Sequence, residues 1–385
     1  MGTKPVFLAG RDGEVKRYRS ILRGAPEIPA NVRLTGLRGV GKTVLLSEFQ
    51  EIADSENWAT INIELEARHN RDEEVTARVG SACRDLENQL SVRAKLRDTA
   101  GKAVGAFRNI KFVYEDVTLQ FDGFGSDSTN DLAKVLTSAL AVADRTGHAG
   151  VALLLDEAQM LHDEKTRDGE HPLSMLLAAV SALQKKQYPV SLVLCGLPTL
   201  TTHLLEARTY SERMFRGEEI GSLDSQEASD AFLEPLTDTG ITASTALVDA
   251  VLDSVEGYPY FVQLWGAELW DAADYIDASE FTLQLLMDVE PEIYSRLDRD
   301  FYEPRITTLT PAEQDLLIAT AKCSYPPLVT VDINASLEKR PGNINVLLGR
   351  LVNAGVMYRP RKGVYEYTAP KFYDFLKRRV AAERH

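Results

Sequence analysis

The sequence predicts an α/β fold: a parallel sheet with helices on both faces, followed by a helical segment and a compact helix-and-hairpin end. Three observations lead there. An alternating run, Val32, Leu34 and Thr35, enters a glycine-rich turn and passes directly into Val-Leu-Leu-Ser-Glu-Phe, a helix by its pattern. Five apolar residues in a row, Val151 to Leu155, end in Asp156 and Glu157, the signature of a strand buried on both faces. Residues 189–198, Pro-Val-Ser-Leu-Val-Leu-Cys-Gly-Leu-Pro, give another such strand, and strands alternating with helices make a parallel sheet wrapped on both sides.

The glycine-rich turn is the most specific stretch of the chain. Residues 36–43 match G-x-x-x-x-G-K-[ST] at every fixed position, with Gly36, Gly41, Lys42 and Thr43. Glycines at 36, 39 and 41 let backbone N–H groups converge on one point with no Cβ in the way. The helix opening near Lys42 adds free N–H groups and the positive end of its dipole. Lys42 is expected to reach the β- and γ-phosphates and Thr43 to place its hydroxyl on Mg²⁺, so the turn reads as a P-loop that binds a nucleoside triphosphate, with Val40 and Val44 among the residues lining it. At the end of the buried strand, Asp156 is placed to hold Mg²⁺ through water and Glu157 to polarise the attacking water, because ligands of open α/β sheets bind at the carboxyl ends of strands.

Length and charge bound the rest. With 385 residues the chain exceeds one ordinary domain. We expect a nucleotide-binding core over 1–222 carrying an insertion at about 66–125, a helical segment over 223–300, and a C-terminal domain over 301–385. No stretch approaches the roughly 18 apolar residues of a membrane span, and the N-terminus has no long apolar run of the secretory kind. Cys83, Cys195 and Cys323 lie far apart and form no metal-type pair, so they read as reduced thiols of a cytoplasmic protein with no membrane partner. The net charge of −14 is unevenly spread: residues 301–385 hold 13 Lys/Arg against 8 Asp/Glu, a net of +5, which leaves −19 for residues 1–300. That asymmetry fits either a nucleic-acid-binding end or a basic solvated surface.

Taken in order, residues 6–13 precede an amphipathic helix carrying Val15, Tyr18, Ile21 and Leu22. Residues 59–65 alternate as a strand. Residues 66–112 are rich in Arg and Lys, with helical spacing over 72–97 and a glycine-containing break near 101–105; residues 110–121 read as a strand or hairpin. Asp131 to Ala143 is a helix with Leu132, Val135, Leu136 and Leu140 on one face, and residues 173–187 form another. From 199 to 300 the pattern is helical, with no convincing strand, and Gly257-Tyr-Pro259 opens an aromatic-rich helix. Thr310 is an N-cap followed by Pro311 and Glu313. A short helix over 332–339 and a helix from Asn343 to Ala354, stopped by Gly355, lead into a hairpin with its turn at 360–363. Three helices and then a hairpin is the order of a winged helix-turn-helix.

Together these features resemble the AAA+ ATPases of the origin-recognition and STAND-like branch, across nearly the whole chain. Phe7-Leu-Ala-Gly-Arg11-Asp-Gly-Glu14 looks like the family's F-x-G-R-x-x-E motif, which implies a place for Arg11 beside the adenine. Gly36 to Thr43 is similar to its Walker A motif, Leu153 to Glu157 to its Walker B, and residues 194–198 to the strand leading to sensor 1. Ser211-Glu-Arg-Met-Phe resembles the segment carrying the arginine finger, which implies that role for Arg213, with Arg216 second. Gly257-Tyr-Pro259 matches the lid's Gly-x-Pro and implies a nucleotide contact for Pro259. Two departures matter: Cys195 and Gly196 stand where sensor 1 is usually Asn or Thr, and Pro259-Tyr260 where many relatives carry a sensor-2 arginine. Both remove groups that would stabilise charge on the γ-phosphate, which points to slow hydrolysis or a nucleotide-controlled switch.

The resemblance implies an ATPase using ATP and Mg²⁺, assembled as a homo-oligomer and bound to double-stranded DNA through the winged helix. Asn343, Asn345, Arg350 and Asn353 are the polar candidates on the helix that would enter a major groove, and Arg359, Arg361 and Lys362 on the wing are candidates for phosphate contact. The competing expectation is a signalling, transposition or defence regulator whose winged helix binds a protein partner.

Overall fold

The computed structural model describes residues 7–100, 126–166, 169–208, 211–337 and 343–382. The expected break near 101–105 and the strand or hairpin at 110–121 lie outside the described residues. The chain divides into two compact units: the first holds Arg11–Thr35 and Lys42–Glu219, the second Gly36–Gly41 and Ile220–His385.

The first unit is built on a five-stranded parallel sheet. Its elements are α1 (Asp12–Arg23), β1 (Ala30–Thr35), α2 (Lys42–Ser55), β2 (Ala59–Glu64), α3 (Asp72–Ala100), α4 (Ser126–Arg145), β3 (Val151–Asp156), α5 (Pro172–Lys185), β4 (Val190–Gly196), α6 (Thr199–Ala207), α7 (Ser211–Met214) and β5 (Arg216–Glu219). The strand order is β2-β3-β4-β1-β5, with Leu153 level with Leu192 and Leu34 level with Cys195. Strands β3 and β4 are buried along their whole length, which is why they read as unbroken apolar runs and not as alternation. Leu154 is fully buried, so truncation to Ala would cost about 2–5 kcal/mol through lost transfer and a residual cavity. On α2, Leu45, Leu46, Phe49, Ile52 and Ala53 are buried, and Phe49 stacks on Tyr18 of α1 with ring centroids 4.1 Å apart.

The helical reading of 199–300 needs one correction here. Residues 216–219 form β5, paired in parallel with β1 from Val32↔Arg216 to Thr35↔Glu219. The segment Arg-Gly-Glu-Glu is an edge strand with Arg216, Gly217 and Glu219 exposed, so it has no apolar alternation to announce it. Arg17 ties it to α1, its Nε donating to Glu218 Oε1 at 2.7 Å.

The second unit comprises α8 (Ser225–Leu233), β6 (Thr242–Ala243), α9 (Thr245–Val255), α10 (Pro259–Tyr275), β7 (Glu280–Phe281), α11 (Leu283–Arg296), α12 (Glu303–Thr307), α13 (Pro311–Ala319), β8 (Leu328–Val329), α14 (Thr330–Ser336), α15 (Ile344–Asn353), β9 (Met357–Arg361), β10 (Val364–Tyr367) and α16 (Phe372–Ala382). Asp224 caps α8, accepting from the Glu227 N–H at 2.8 Å while Glu227 returns a bond to the Asp224 N–H. Pro259 occupies the first turn of α10, where no N–H is needed. Strands β6 and β7 are two-residue pairings that the helical pattern around them conceals. Beyond α13 come β8, α14, α15, β9, β10 and α16, the three strands forming an antiparallel sheet of order β8-β10-β9. The two helices and the hairpin follow in the order anticipated from the sequence, while β8 and α16 were not anticipated. Thr310 and Glu313 form a capping box at α13, and Gly355 takes φ +67° to stop α15.

Candidate functional site: the strand ends around Asp156

At the carboxyl end of β3 the chemistry-bearing side chains interlock. Asp156, 7% exposed, accepts from the Thr43 hydroxyl at 2.7 Å on one oxygen and from the Glu157 N–H at 2.8 Å on the other. The strand carries Asp156 to the sheet edge, and the first turn of α2 carries Thr43 and the buried Lys42. Glu157 sits in the left-handed region at φ +52°, a conformation that costs a non-glycine residue on the order of 1 kcal/mol and recurs where geometry serves function. Its carboxylate accepts a short hydrogen bond from Gln159 Nε2. Gln159, itself 7% exposed, accepts from the Leu197 N–H at 3.0 Å, just past the end of β4.

Cys195 and Gly196 close β4 beside this cluster. Burial first, and then the Asp156 carboxylate, push the Cys195 thiol well up, so it stays protonated and supplies no charge to the site. A Cβ at Gly196 would lie 2.5 Å from Gln159 Oε1, too close for a real carbon. Gln159 was not identified from the sequence. The signal was the Asp-Glu-Ala-Gln run, but its partner is a backbone N–H on another strand.

Within the P-loop sequence, Gly39 and Gly41 take φ +83° and +87°, conformations that L side chains rarely adopt, as the motif requires. The turn over 36–41 is held within the second unit. The Tyr258 hydroxyl donates a short bond to the Arg38 carbonyl, the Tyr260 N–H donates to the Gly39 carbonyl at 3.1 Å, and the Arg38 N–H donates to the Thr368 carbonyl at 3.1 Å. Gly36 runs so close to the Ile220 carbonyl that no Cβ fits. Burial, with Arg38 next, pushes the nearby Arg305 guanidinium down to about 10. The Gly257-Tyr-Pro signature was legible; that its tyrosines grip the phosphate-binding turn was not.

The other anticipated residues fall as follows. Arg11 is buried at the head of α1 in the first unit, and Val40 is buried and Val44 half-buried on either side of Lys42. Pro259 begins α10 in the second unit. Arg213 is exposed on α7, and Arg216 is exposed on β5 with its Nε donating to Glu218 at 3.0 Å. Asn343 caps α15, its Oδ1 accepting from the N–H groups of Asn345 at 3.1 Å and Val346 at 3.4 Å. Asn345, Arg350, Arg359, Arg361 and Lys362 are exposed, Arg350 lying 3.9 Å from Glu313. Among the described residues no group of three or more His, Cys, Asp or Glu could hold a metal unaided, and no helix is long and apolar enough to cross a membrane.

Comparison with known proteins agrees with this geometry. Residues 8–194 match the family model described as an AAA ATPase domain, and residues 299–376 match one described as a domain of unknown function. No curated protein matches the sequence significantly. Among solved structures, a Walker-type ATPase of Pyrococcus abyssi is similar at 17% identity, covering 97% of each chain with a TM-score of 0.57. The ORC2 protein of Aeropyrum pernix in its ADPNP–ADP complexes is 12% identical over 99% of this chain and 96% of that one, at a TM-score of 0.54. The ORC1 protein of Aeropyrum pernix in complex with DNA is 16% identical over 99% and 95%, at 0.50. At these identities the likeness shows a shared fold. With the Walker residues above, the family match shows that residues 8–194 form an AAA ATPase domain on the P-loop fold, and the protein is an ATPase.

Proposed function

We propose that this ATPase is a slow, nucleotide-controlled switch that binds duplex DNA through a C-terminal winged helix, with residues 223–300 acting as the lid. In this reading the backbone of Gly36, Gly39, Val40, Gly41 and Val44 surrounds the phosphates, Lys42 neutralises the β- and γ-phosphates, Arg11 serves the base, and Pro259 is a further nucleotide contact. The Thr43 hydroxyl and the Asp156 carboxylate, 2.7 Å apart, form a hard oxygen pair that suits Mg²⁺ and are the groups that would hold it. When bound, Mg²⁺ would offset charge on the β- and γ-phosphates. Glu157 orients the attacking water and takes its proton. Slowness follows from Cys195-Gly196 and Pro259-Tyr260, which offer no cation or amide side chain to the developing charge. The exposure of Arg213 is compatible with action in trans on a neighbouring subunit of a homo-oligomer. Hydrolysis per subunit that stays flat across the assembly concentration would remove that role. A cytoplasmic setting belongs to the same reading, supported by three free, buried cysteines.

One observation carries the DNA assignment. Arg350 on α15 and Arg359, Arg361 and Lys362 at the β9 end of the hairpin are all exposed, on elements that touch one another. Cations so arranged suit phosphate contact flanking a helix in a groove, and the structurally similar ORC1 protein was solved in complex with DNA. Fluorescence anisotropy with duplex DNA at two salt concentrations tests it: binding that weakens steeply with salt supports the reading. Absence of binding at low salt, with ATP and with ADP, sinks it. A protein partner is the second reading, favoured by Val346 on α15 and Val331 on α14, which are 48% and 77% exposed.

A further inference from the structure

We infer that Gln159 is the positioning residue of the hydrolytic glutamate, filling with its carboxamide the place that a side chain at the end of β4 would otherwise occupy. The inference rests on the reading of Glu157 as the residue that orients and deprotonates water.

Three observations, all within the first unit, carry it. The first is the polarity of the bridge. The Leu197 backbone N–H donates at 3.0 Å to Gln159 Oε1. A backbone N–H needs an acceptor, so this bond fixes which end of the amide is oxygen and turns Nε2 toward Glu157 as a donor. That donor meets Glu157 Oε2 in a short hydrogen bond. Among the described residues Glu157 Oε1 takes no hydrogen bond, so the carboxylate keeps one oxygen for a water molecule while the other is held.

The second is the fit at Gly196. A Cβ there would stand 2.5 Å from Gln159 Oε1 and 3.2 Å from the Gln159 backbone nitrogen. Gly196 has no positive φ to require glycine, and the carboxamide oxygen is the nearest atom a Cβ there would meet, ahead of the Gln159 backbone nitrogen and of Leu200 Cδ2 at 3.3 Å. The bare end of β4 and the presence of Gln159 are therefore one feature: the carboxamide from the turn after β3 takes that space and donates to Glu157, so it orients the base and leaves the developing charge on the phosphate without an amide. The third is rigidity. Gln159 is 7% exposed and Ala158 fully buried, and the Glu157 carbonyl accepts from the Met160 N–H at 2.9 Å, so the turn bearing both residues has little freedom. A carboxylate whose rotamer is fixed at one oxygen spends no time in orientations that miss the water, and errors of about 1 Å in such placement cost roughly 10²-fold.

The test is steady-state ATP hydrolysis by full-length protein, with nucleotide affinity measured alongside. Gln159→Leu keeps the volume and removes the amide; kcat is expected to fall about 10-fold or more, with KM and ADP affinity within about twofold. Gly196→Asn alone pushes the carboxamide aside and should lower kcat likewise. The double variant Gln159→Ala/Gly196→Asn returns an amide to the same place from the other strand and should recover most of the rate, which a purely structural role would not allow. If Gln159→Leu fails to fold, Gly196→Ala reads the same displacement with a single methyl group. A kcat unchanged or raised in Gln159→Leu, or a double variant no better than the worse single one, overturns the inference. Glu157→Gln separates the two layers: full activity there removes the base assignment itself, whereas an inactive Glu157→Gln beside a fully active Gln159→Leu removes only the role of Gln159.

Discussion

The strand ends around Asp156 and the exposed residues between Asn343 and Lys362 are polar in different ways. In the first region the groups restrain one another: Thr43 on Asp156, Asp156 on the Glu157 N–H, Gln159 between Glu157 and Leu197. In the second, Asn345, Arg359, Arg361 and Lys362 stand in solvent, and Arg350 has only a 3.9 Å approach to Glu313. Polar groups that satisfy one another around the buried Asp156 and Gln159 define one geometry and hence one chemistry. Exposed cations define an electrostatic surface whose partner is chosen by charge and shape. Single substitutions should therefore act steeply in the first region and gradually in the second.

The largest effect is expected from Lys42→Ala. Removing the ammonium from the phosphate-binding turn should weaken ATP binding at least about 100-fold, the scale of deleting a charge-assisted hydrogen bond inside a site. Calorimetric titration at wild-type affinity would refute the P-loop role of this residue. Next comes Glu157→Gln, which keeps the shape of the side chain and its place beside Gln159 but removes the base. Binding should persist while phosphate release drops by on the order of 10²-fold; an unchanged rate would move the base elsewhere, with Asp156 first in line.

On the exposed side, replacing Arg359, Arg361 and Lys362 together by Ala should weaken duplex binding about 10-fold and flatten the salt dependence. The slope should shrink by about 0.9 for each phosphate that is no longer neutralised. A slope identical to wild type would show that these side chains do not face the backbone. The smallest effect concerns pH. Burial, then the neighbouring His162, holds the His203 pKa below its usual value. A histidine kept neutral in the fold binds its proton more readily when unfolded, so the stability it contributes is complete above the ordinary pKa of about 6.5 and declines as pH falls below it. Melting temperatures from pH 7.5 to 5 should drop more in wild type than in His203→Gln; parallel curves would exclude His203 as the cause.

The same contrast explains what the sequence disclosed. The P-loop, β3 and β4 were legible because burial on both faces forces unbroken apolar runs and because Gly39 and Gly41 need conformations that favour glycine. Strand β5 was not, since Arg216, Gly217 and Glu219 face solvent and only the register with β1 makes a strand of them. Helix–hairpin order at the C-terminal end was legible from Thr310, Gly355 and Gly363, each a cap or turn with a local cause. Gln159 escaped because its function depends on Gly196 and Leu197, residues far along the chain that only the sheet brings alongside. The grip of Tyr258 and Tyr260 on residues 36–41 escaped for the same reason.

The central claim is that nucleotide and DNA bias one switch, and reciprocity tests it most directly. If ATP changes duplex affinity by some factor, duplex must change ATP affinity by the same factor. The measurement is the Kd for ATP and Mg²⁺ of the hydrolysis-blocked Glu157→Gln protein, taken with and without saturating duplex DNA, beside the duplex Kd with and without ATP. The account predicts two equal shifts of roughly 5-fold or more, the usual range of allosteric coupling. Duplex binding that is tight yet leaves the ATP Kd unchanged would contradict it, leaving an ATPase and a DNA-binding domain that merely share a chain.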